Sequence, residues 1–170
     1  RSGSMGMGVD HHAFGGENST KMNYAINATI KFTELLSEKD IIGVVSFDDM
    51  AIVEQRLVNV TEGNKKEIIR NVRNIQPRGC TNISDALITA KKLITKEYLE
   101  NYNCKIILLS DGEANRGACD VDSLSTIALD CLKNGITVTS LGIGLHYNSK
   151  IMDTIATSGG GLFYHIEDLS

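Results

Sequence analysis

The chain has 170 residues, of which 42% are hydrophobic and 22% charged. This length and composition are those of one soluble globular domain that can bury a substantial core. The net charge of −4 argues against a nucleic-acid partner, because phosphate binding requires a basic face. No apolar run reaches the roughly 18–20 residues that a membrane-spanning helix needs.

Helical periodicity alternates with short β-branched runs along the whole chain. Taken in order, the predicted elements are a helix at 21–36, strands at 41–47 and 51–57, helices at 62–75 and 83–94, a strand at 105–109, a helix at 121–133, a strand at 135–144, a helix at 148–157 and a strand at 159–168. This alternation predicts a single α/β domain over residues 1–170, with a doubly wound, mostly parallel sheet and helices on both faces. The alternating polar pattern of 51–57 after a tight turn predicts one short antiparallel edge strand.

The first eight residues, RSGSMGMG, are small, flexible and rich in hydroxyl groups. Such a segment is typical of a loop that follows a strand and presents oxygen atoms. Two further oxygen-bearing residues, Thr81 and Asp111, stand in predicted loops. In parallel sheets ligands bind beyond the carboxyl ends of the strands, so we expect Ser2, Ser4, Thr81 and Asp111 to converge on one edge.

Hydroxyl and carboxylate oxygens without histidine or thiolate are ligands for a hard cation. Mg²⁺ prefers six oxygens and retains several waters, so a few protein ligands suffice. Mn²⁺ or Ca²⁺ would also accept such a set. Because most of these ligands are neutral, the ion keeps positive charge that attracts an acidic group from outside.

Three motifs make the chain resemble a von Willebrand factor type A domain over essentially its whole length. That family carries a metal-ion-dependent adhesion site built from D-x-S-x-S, a threonine loop and an L-L-[TS]-D-G loop. The corresponding stretches here are R-S-G-S-M at 1–5, G-C-T-N-I at 79–83 and L-L-S-D-G at 108–112. The G-I-G-L-H-Y-N and G-G-G-L-F-Y-H-I-E-D stretches are similar to a mainly prokaryotic branch.

The resemblance implies a Rossmann-like fold and a protein-binding module that is not an enzyme. Ser2 and Ser4 would bind the metal directly, Thr81 directly or through water, and Asp111 mostly through water. A partner's Asp or Glu would complete the coordination. The residues beside the metal loop implied as partner contacts are Glu113, Asn115 and Arg116.

Two departures from the family pattern bear on the site. The first aspartate of D-x-S-x-S would stand before Arg1, as would the strand that leads to it, so we expect weaker metal binding in a domain that lacks this central strand. Either the native protein has upstream residues that supply the strand, or something else fills the gap. The second departure is a long loop at 6–20. His11 and His12 in that loop are either extra contacts or exposed, and Asp10 would replace the lost carboxylate only if the loop folded back.

The four cysteines show neither CxxC pairing nor zinc spacing. Cys104 and Cys131 fit small core positions, whereas Cys80 and Cys119 fall in loops on the same face. Reduced thiols are favoured over a disulfide or redox pair between the two loop cysteines. This usage slightly favours a reducing, cytoplasmic location.

Two other functions compete with metal-dependent binding. A hydrolase with Ser4 as nucleophile would need a nearby base, for which the available histidines are His11, His12 and, far along the chain, His146 and His165. A metal-assisted hydrolase with Asp111 as ligand lacks a second carboxylate positioned as general base. A purely structural domain with a degenerate metal site is supported by the missing aspartate. The acids predicted to be on the surface are Asp48, Asp49, Glu113, Asp120 and Asp122.

Overall fold

The computed structural model describes residues 2–10, 18–76, 80–110, 113–144 and 147–166, with side chains for all of these except 2–10 and 18–21. The elements in chain order are β1 (Ser2–Asp10), α1 (Asn18–Leu35), β2 (Ile41–Phe47), β3 (Ala51–Asn59), α2 (Glu62–Arg73), α3 (Ile83–Leu93), α4 (Lys96–Asn101), β4 (Tyr102–Ser110), α5 (Val121–Lys133), β5 (Ile136–Ile143), α6 (Ser149–Ser158) and β6 (Gly160–Ile166). Among the described residues no helix has the length and apolar character needed to cross a membrane.

The strands form one six-stranded sheet in the order β3-β2-β1-β4-β5-β6. All neighbouring pairs are parallel except β2 with β3, which is antiparallel. The strand order places β3 at an edge of the sheet. The predicted doubly wound sheet with one antiparallel edge strand is therefore confirmed. The short helix α4 was not predicted, and β4 begins three residues before the predicted strand.

The sheet separates two hydrophobic layers. One layer packs α1 and α2 against residues such as Val44 and Leu109, and the other packs α3, α5 and α6 against residues such as Phe47 and Leu108. β2 is buried at every position, as a central strand covered on both faces must be. Burial on both sides makes the sheet a rigid platform for the loops at its ends.

The prediction that the first residues form a loop, in a domain without its central strand, is wrong. Ser2–Asp10 forms β1, which pairs in parallel with β2 on one side and with β4 on the other. The physical reason is that the buried strands β2 and β4 carry backbone N–H and C=O groups that must be paired. A backbone ladder depends little on side chains, so even a glycine-rich segment can fill this position.

The beginning of α5 depends on a charged cap. Asp120 Oδ2 accepts a hydrogen bond of 2.8 Å from the Ser123 backbone N–H. This bond holds the pKa of Asp120 below its usual value. Because the folded pKa is lowered, the stabilisation is present above the unfolded pKa of about 3.9 and is lost as pH falls through the folded value.

We expect Asp120→Ala to lower the melting temperature more at pH 7 than at pH 3, since the stabilisation by the charged cap diminishes as the carboxyl is protonated at low pH. Thermal melts of both chains at the two pH values test this. The exposed Asp122→Ala variant, in the same first turn without the capping bond, serves as the control. An equal loss at both pH values for Asp120→Ala would contradict the prediction.

Candidate metal and partner-binding site

The candidate site lies at the carboxyl edge of the sheet, where β1, β2 and β4 end beside one another. Asp10, the last residue of β1, pairs with Phe47, the last residue of β2. On the other side Val9 pairs with Leu109, one residue before β4 ends. Parallel strands thus bring Asp10, the segment after Phe47 and the segment after Ser110 to one edge.

Thr81 lies in the loop between α2 and α3 at this edge. Its side chain is fully buried, with 0% of its surface exposed. Within the described part of the chain its hydroxyl oxygen Oγ1 is the buried side-chain N or O atom that has no hydrogen-bond partner. An unpaired buried hydroxyl costs about 1–3 kcal/mol, so this atom requires an explanation.

The Thr81 backbone is held by the loop that follows β4. The Thr81 N–H donates to Asn115 Oδ1 at 2.9 Å. Its carbonyl accepts from the N–H groups of Asn115 at 3.1 Å and Arg116 at 3.2 Å. These bonds join the two loops while leaving the Thr81 hydroxyl unused. The loop geometry therefore presents Thr81 Oγ1 at a set position.

Asn82, the next residue of the same loop, is also held by hydrogen bonds. Its N–H donates to the Asp48 carbonyl at 2.9 Å, and its Oδ1 accepts from the Asp85 N–H at 3.0 Å as the N-cap of α3. Ser84 Oγ donates to the same Oδ1 at 2.8 Å and accepts from the Ala118 N–H at 3.1 Å. Three chain segments thus meet around the threonine loop.

Gly117 permits the close approach of these segments. Its φ of +64° lies in the left-handed region that favours glycine. A Cβ atom there would lie 2.3 Å from Asn82 Oδ1 and 2.4 Å from Ser84 Oγ. No side chain larger than hydrogen fits without moving the cap of α3.

The sequence matches the family described as von Willebrand factor type A domain over residues 1–170. The chain is a von Willebrand factor type A domain. The match covers the full length, so the threonine loop and the loop after β4 both fall within the family's region.

Individual relatives agree with this assignment. Inter-alpha-trypsin inhibitor heavy chain H3 from Bos taurus is 27% identical over 154 residues, covering 87% of this chain and 17% of that protein. The von Willebrand factor type A structure from Catenulispora acidiphila superposes with a TM-score of 0.85 at 20% identity, covering 98% of this chain and 39% of that one. Proximal thread matrix protein 1 from the mussel byssus, in a structure with a zinc-occupied metal-ion-dependent adhesion site, gives a TM-score of 0.77 at 20% identity, covering 96% and 41%.

The von Willebrand factor type A domain spans only about a sixth of the length of that curated relative, since 17% of the bovine protein is covered. The likeness to the two solved structures shows the shared fold. It places the threonine loop on the same type of α/β platform.

The structure does not bring all the predicted ligands together. Ser4 pairs with Ile41 and Cys104, and Ser2 with Tyr102, which are residues at the beginnings of β2 and β4. Six residues separate Ser4 from the end of β1, which at about 3.3 Å per residue is about 20 Å. The two serines therefore lie toward the opposite edge from Thr81, because the N-terminal segment pairs as a strand and not as a loop.

Asp111, the residue after Ser110 in the sequence, lies outside the described residues. His11 and His12 also lie outside them. The register places Asp10 at the edge where the Thr81 loop lies. The expectation that Asp10 needs a loop to fold back is therefore wrong, since Asp10 ends a strand. Among the residues whose side chains are described, no three His, Cys, Asp or Glu side chains cluster as a metal site.

One carboxylate at this edge was misjudged from the sequence. Asp48, predicted to be a surface acid, is only 4% exposed, and its Oδ1 accepts from the Met50 N–H at 3.2 Å. Its neighbour Asp49 is 67% exposed and lies 3.4 Å from Arg116 Nε. The apolar run at 41–47 could have indicated this burial, because Asp48 directly follows the strand that this run forms and that strand is buried throughout.

The three predicted partner-contact residues Glu113, Asn115 and Arg116 are all exposed. Asn115 also has an internal role, because its Oδ1 accepts the hydrogen bond from the Thr81 N–H across two loops. Arg116 Nε donates to Cys80 Sγ at 3.5 Å. This hydrogen bond, with the charge of Asp49 as a smaller contribution, raises the pKa of Arg116 above its usual value, so the guanidinium stays charged.

Proposed function

We propose that this domain is a metal-dependent protein-binding module, in which a divalent cation at the carboxyl edge captures an acidic side chain of a partner. The observation that carries the proposal is the Thr81 hydroxyl, which is fully buried and unpaired among the described residues. Such an atom in a folded protein requires an explanation, and a bound cation supplies one. Loop bonds to Asn115 hold the backbone so that this hydroxyl remains available.

The donor set suits a hard cation. Thr81 would contribute a hydroxyl oxygen and Asp111 a carboxylate, which are groups that Mg²⁺ or Mn²⁺ accepts. When bound, the cation supplies positive charge that attracts a carboxylate. The zinc-occupied site of the mussel protein supports a divalent metal in this fold without deciding which metal this chain binds.

The third contribution comes from β1, for which two sources compete. The motif resemblance names Ser2 and Ser4, whereas the strand register favours Asp10, whose backbone ends β1 at the carboxyl edge of the sheet. We propose Asp10, because it ends β1 beside the end of β2. A carboxylate there would supply the negative charge that the hydroxyl donors lack.

The exposed rim supports a protein partner. Arg116 carries a positive charge next to the Thr81 loop and is 62% exposed. Asp49 offsets this charge in part, and Glu113 adds a further exposed acid. A protein partner would meet these mixed charges at the rim and the metal at the centre.

Thermal melts in EDTA and in millimolar Mg²⁺ or Mn²⁺ test the proposal. A metal at one hundred times its Kd stabilises the folded state by about 2.7 kcal/mol, which raises the melting temperature by about 5–10 °C in a domain of this size. We expect Thr81→Ala and Asp111→Ala to abolish the rise. A cooperative melt without any rise would contradict metal binding and favour a structural domain with a degenerate site.

A second pair of variants locates the contribution of β1. We expect Asp10→Asn to reduce the metal-dependent rise and Ser4→Ala to leave it unchanged. The opposite result would show that Ser4 lies at the site, and hence that the first residues form a loop there. Adding an Asp-containing peptide from a binding partner should raise the melting temperature further, but only when metal is present.

A further inference from the structure

We propose that Cys80 and Cys119 form a redox modification site, where two-electron oxidation joins their sulfurs in a disulfide across the two loops that enclose Thr81. The proposal concerns thiols that the metal-binding function does not use. It stands independently of that function, since the disulfide requires no metal.

Both sulfur atoms contact the same residue. Cys80 Sγ accepts from Arg116 Nε at 3.5 Å, and Cys119 Sγ lies 3.4 Å from the Arg116 carbonyl oxygen and 3.4 Å from that of Gly117. Both thiols are free and half-buried. The two sulfurs thus lie beside one residue, Cys80 at the side chain of Arg116 and Cys119 at its backbone, and both are partly accessible to a small oxidant.

The loop framework fixes the segments that carry the two cysteines. Cys80 directly precedes Thr81, whose carbonyl accepts from the N–H groups of Asn115 and Arg116 at 3.1 and 3.2 Å. Cys119 follows three residues after Arg116, at the end of the same loop. A disulfide requires Cα atoms within about 7 Å of each other, and the proposed link presumes this approach of the two loops.

The other two cysteines do not compete for this reaction. Cys104 is 4% exposed and Cys131 is 0% exposed, both within the layer beneath α3 and α5. Burial raises the pKa of the Cys131 thiol, which keeps it in the unreactive protonated form. Oxidation of the folded chain should therefore be selective.

The chemistry balances with a peroxide as oxidant. One thiol is oxidised by hydrogen peroxide to a sulfenic acid with release of one water. The second sulfur then attacks the first, forming the S–S bond and releasing a second water. In total the two thiols lose two protons and two electrons, and a dithiol reductant reverses the reaction.

The test oxidises the whole folded chain with hydrogen peroxide in EDTA, followed by thiol blocking, trypsin digestion and mass spectrometry without reductant. We expect residues 79–91 to be joined to residues 117–133, with loss of two of the four free thiols. Dithiothreitol should separate the two peptides. Oxidation in urea gives the reference. Four thiols can pair in three ways, and two of these pairings join the two peptides because residues 117–133 contain two cysteines, so random pairing gives the linked product in roughly two-thirds of molecules.

Matched variants assign the sulfurs, because residues 117–133 contain both Cys119 and Cys131. Cys119→Ser should abolish the linked peptide and Cys131→Ala should leave it. The proposal is overturned if the folded chain forms no link, if the link needs Cys131, or if only disulfide-linked dimers appear. Metal binding is measured separately in reductant, so failure of one proposal does not mask the other.

Discussion

Replacing Thr81 by valine is expected to stabilise the metal-free domain by about 1–2 kcal/mol, because it removes a buried hydroxyl that has no partner and keeps the side-chain shape. In saturating metal the order should reverse, since valine has no oxygen to offer the cation. Wild type would then gain about 2.7 kcal/mol at one hundred times Kd, whereas the variant gains nothing from this ligand. Chemical denaturation in EDTA and in Mg²⁺ measures both effects.

Thr33→Val is the matched control for this substitution. Thr33 is also 0% exposed, but its hydroxyl donates to the Thr29 carbonyl at 2.8 Å. Its replacement should leave stability unchanged or lower it by up to about 1 kcal/mol, with a normal metal response. Destabilisation by Thr81→Val in EDTA would show that the hydroxyl is satisfied in the metal-free domain and would remove the main support for the site. Thr81→Ser should retain the metal response.

Gly117→Ala is expected to destabilise the domain by about 2–4 kcal/mol, through left-handed backbone strain and the displacement of packed neighbours. The added Cβ would lie 2.3 Å from the Asn82 oxygen that caps α3. Relief of this clash must move either the cap or the loop that holds Thr81. We therefore expect the metal-dependent rise in melting temperature to shrink as well.

Gly63→Ala makes the same chemical change in the first turn of α2. No atom lies within 4 Å of its added Cβ, and its φ is not positive. It should stabilise the domain by about 0.5–1 kcal/mol, because alanine loses less backbone entropy in a helix. Urea denaturation of both variants measures the opposite signs. Surface substitutions change the free energy of unfolding by up to about 0.5 kcal/mol. A loss for Gly117→Ala within that range would show that the two loops accommodate the added Cβ at little cost.

Most elements could be predicted from local patterns. The run at 41–47 is apolar and β-branched, and the strand found there has the same bounds. The helix at 121–133 also has the predicted bounds, because Asp120 caps its start and Asn134-Gly135 ends it. The helix at 62–75 ends two residues early, although Ile68, Val72 and Ile75 face the core as expected.

The candidate site was predictable only in part. Thr81 and its loop were identified by motif, and their position at the carboxyl edge follows from the parallel topology. The bonds from Asn115 to Thr81 join residues 34 positions apart, which no local pattern reveals. The burial of Asp48 likewise depends on neighbours distant in sequence.

The sequence by itself determined the α/β alternation and the parallel sheet. It also determined membership of the von Willebrand factor type A family, which its threonine and aspartate loops indicate. These follow from hydrophobic periodicity and turn chemistry, which act over a few neighbouring residues. Only the tertiary structure decided that Ser2–Asp10 is the central strand, and hence that Asp10 and not Ser4 stands at the site edge. A strand's place and register depend on the unpaired backbone of the strands beside it, and the residues with which this strand pairs lie about 40 and 100 positions further along the chain.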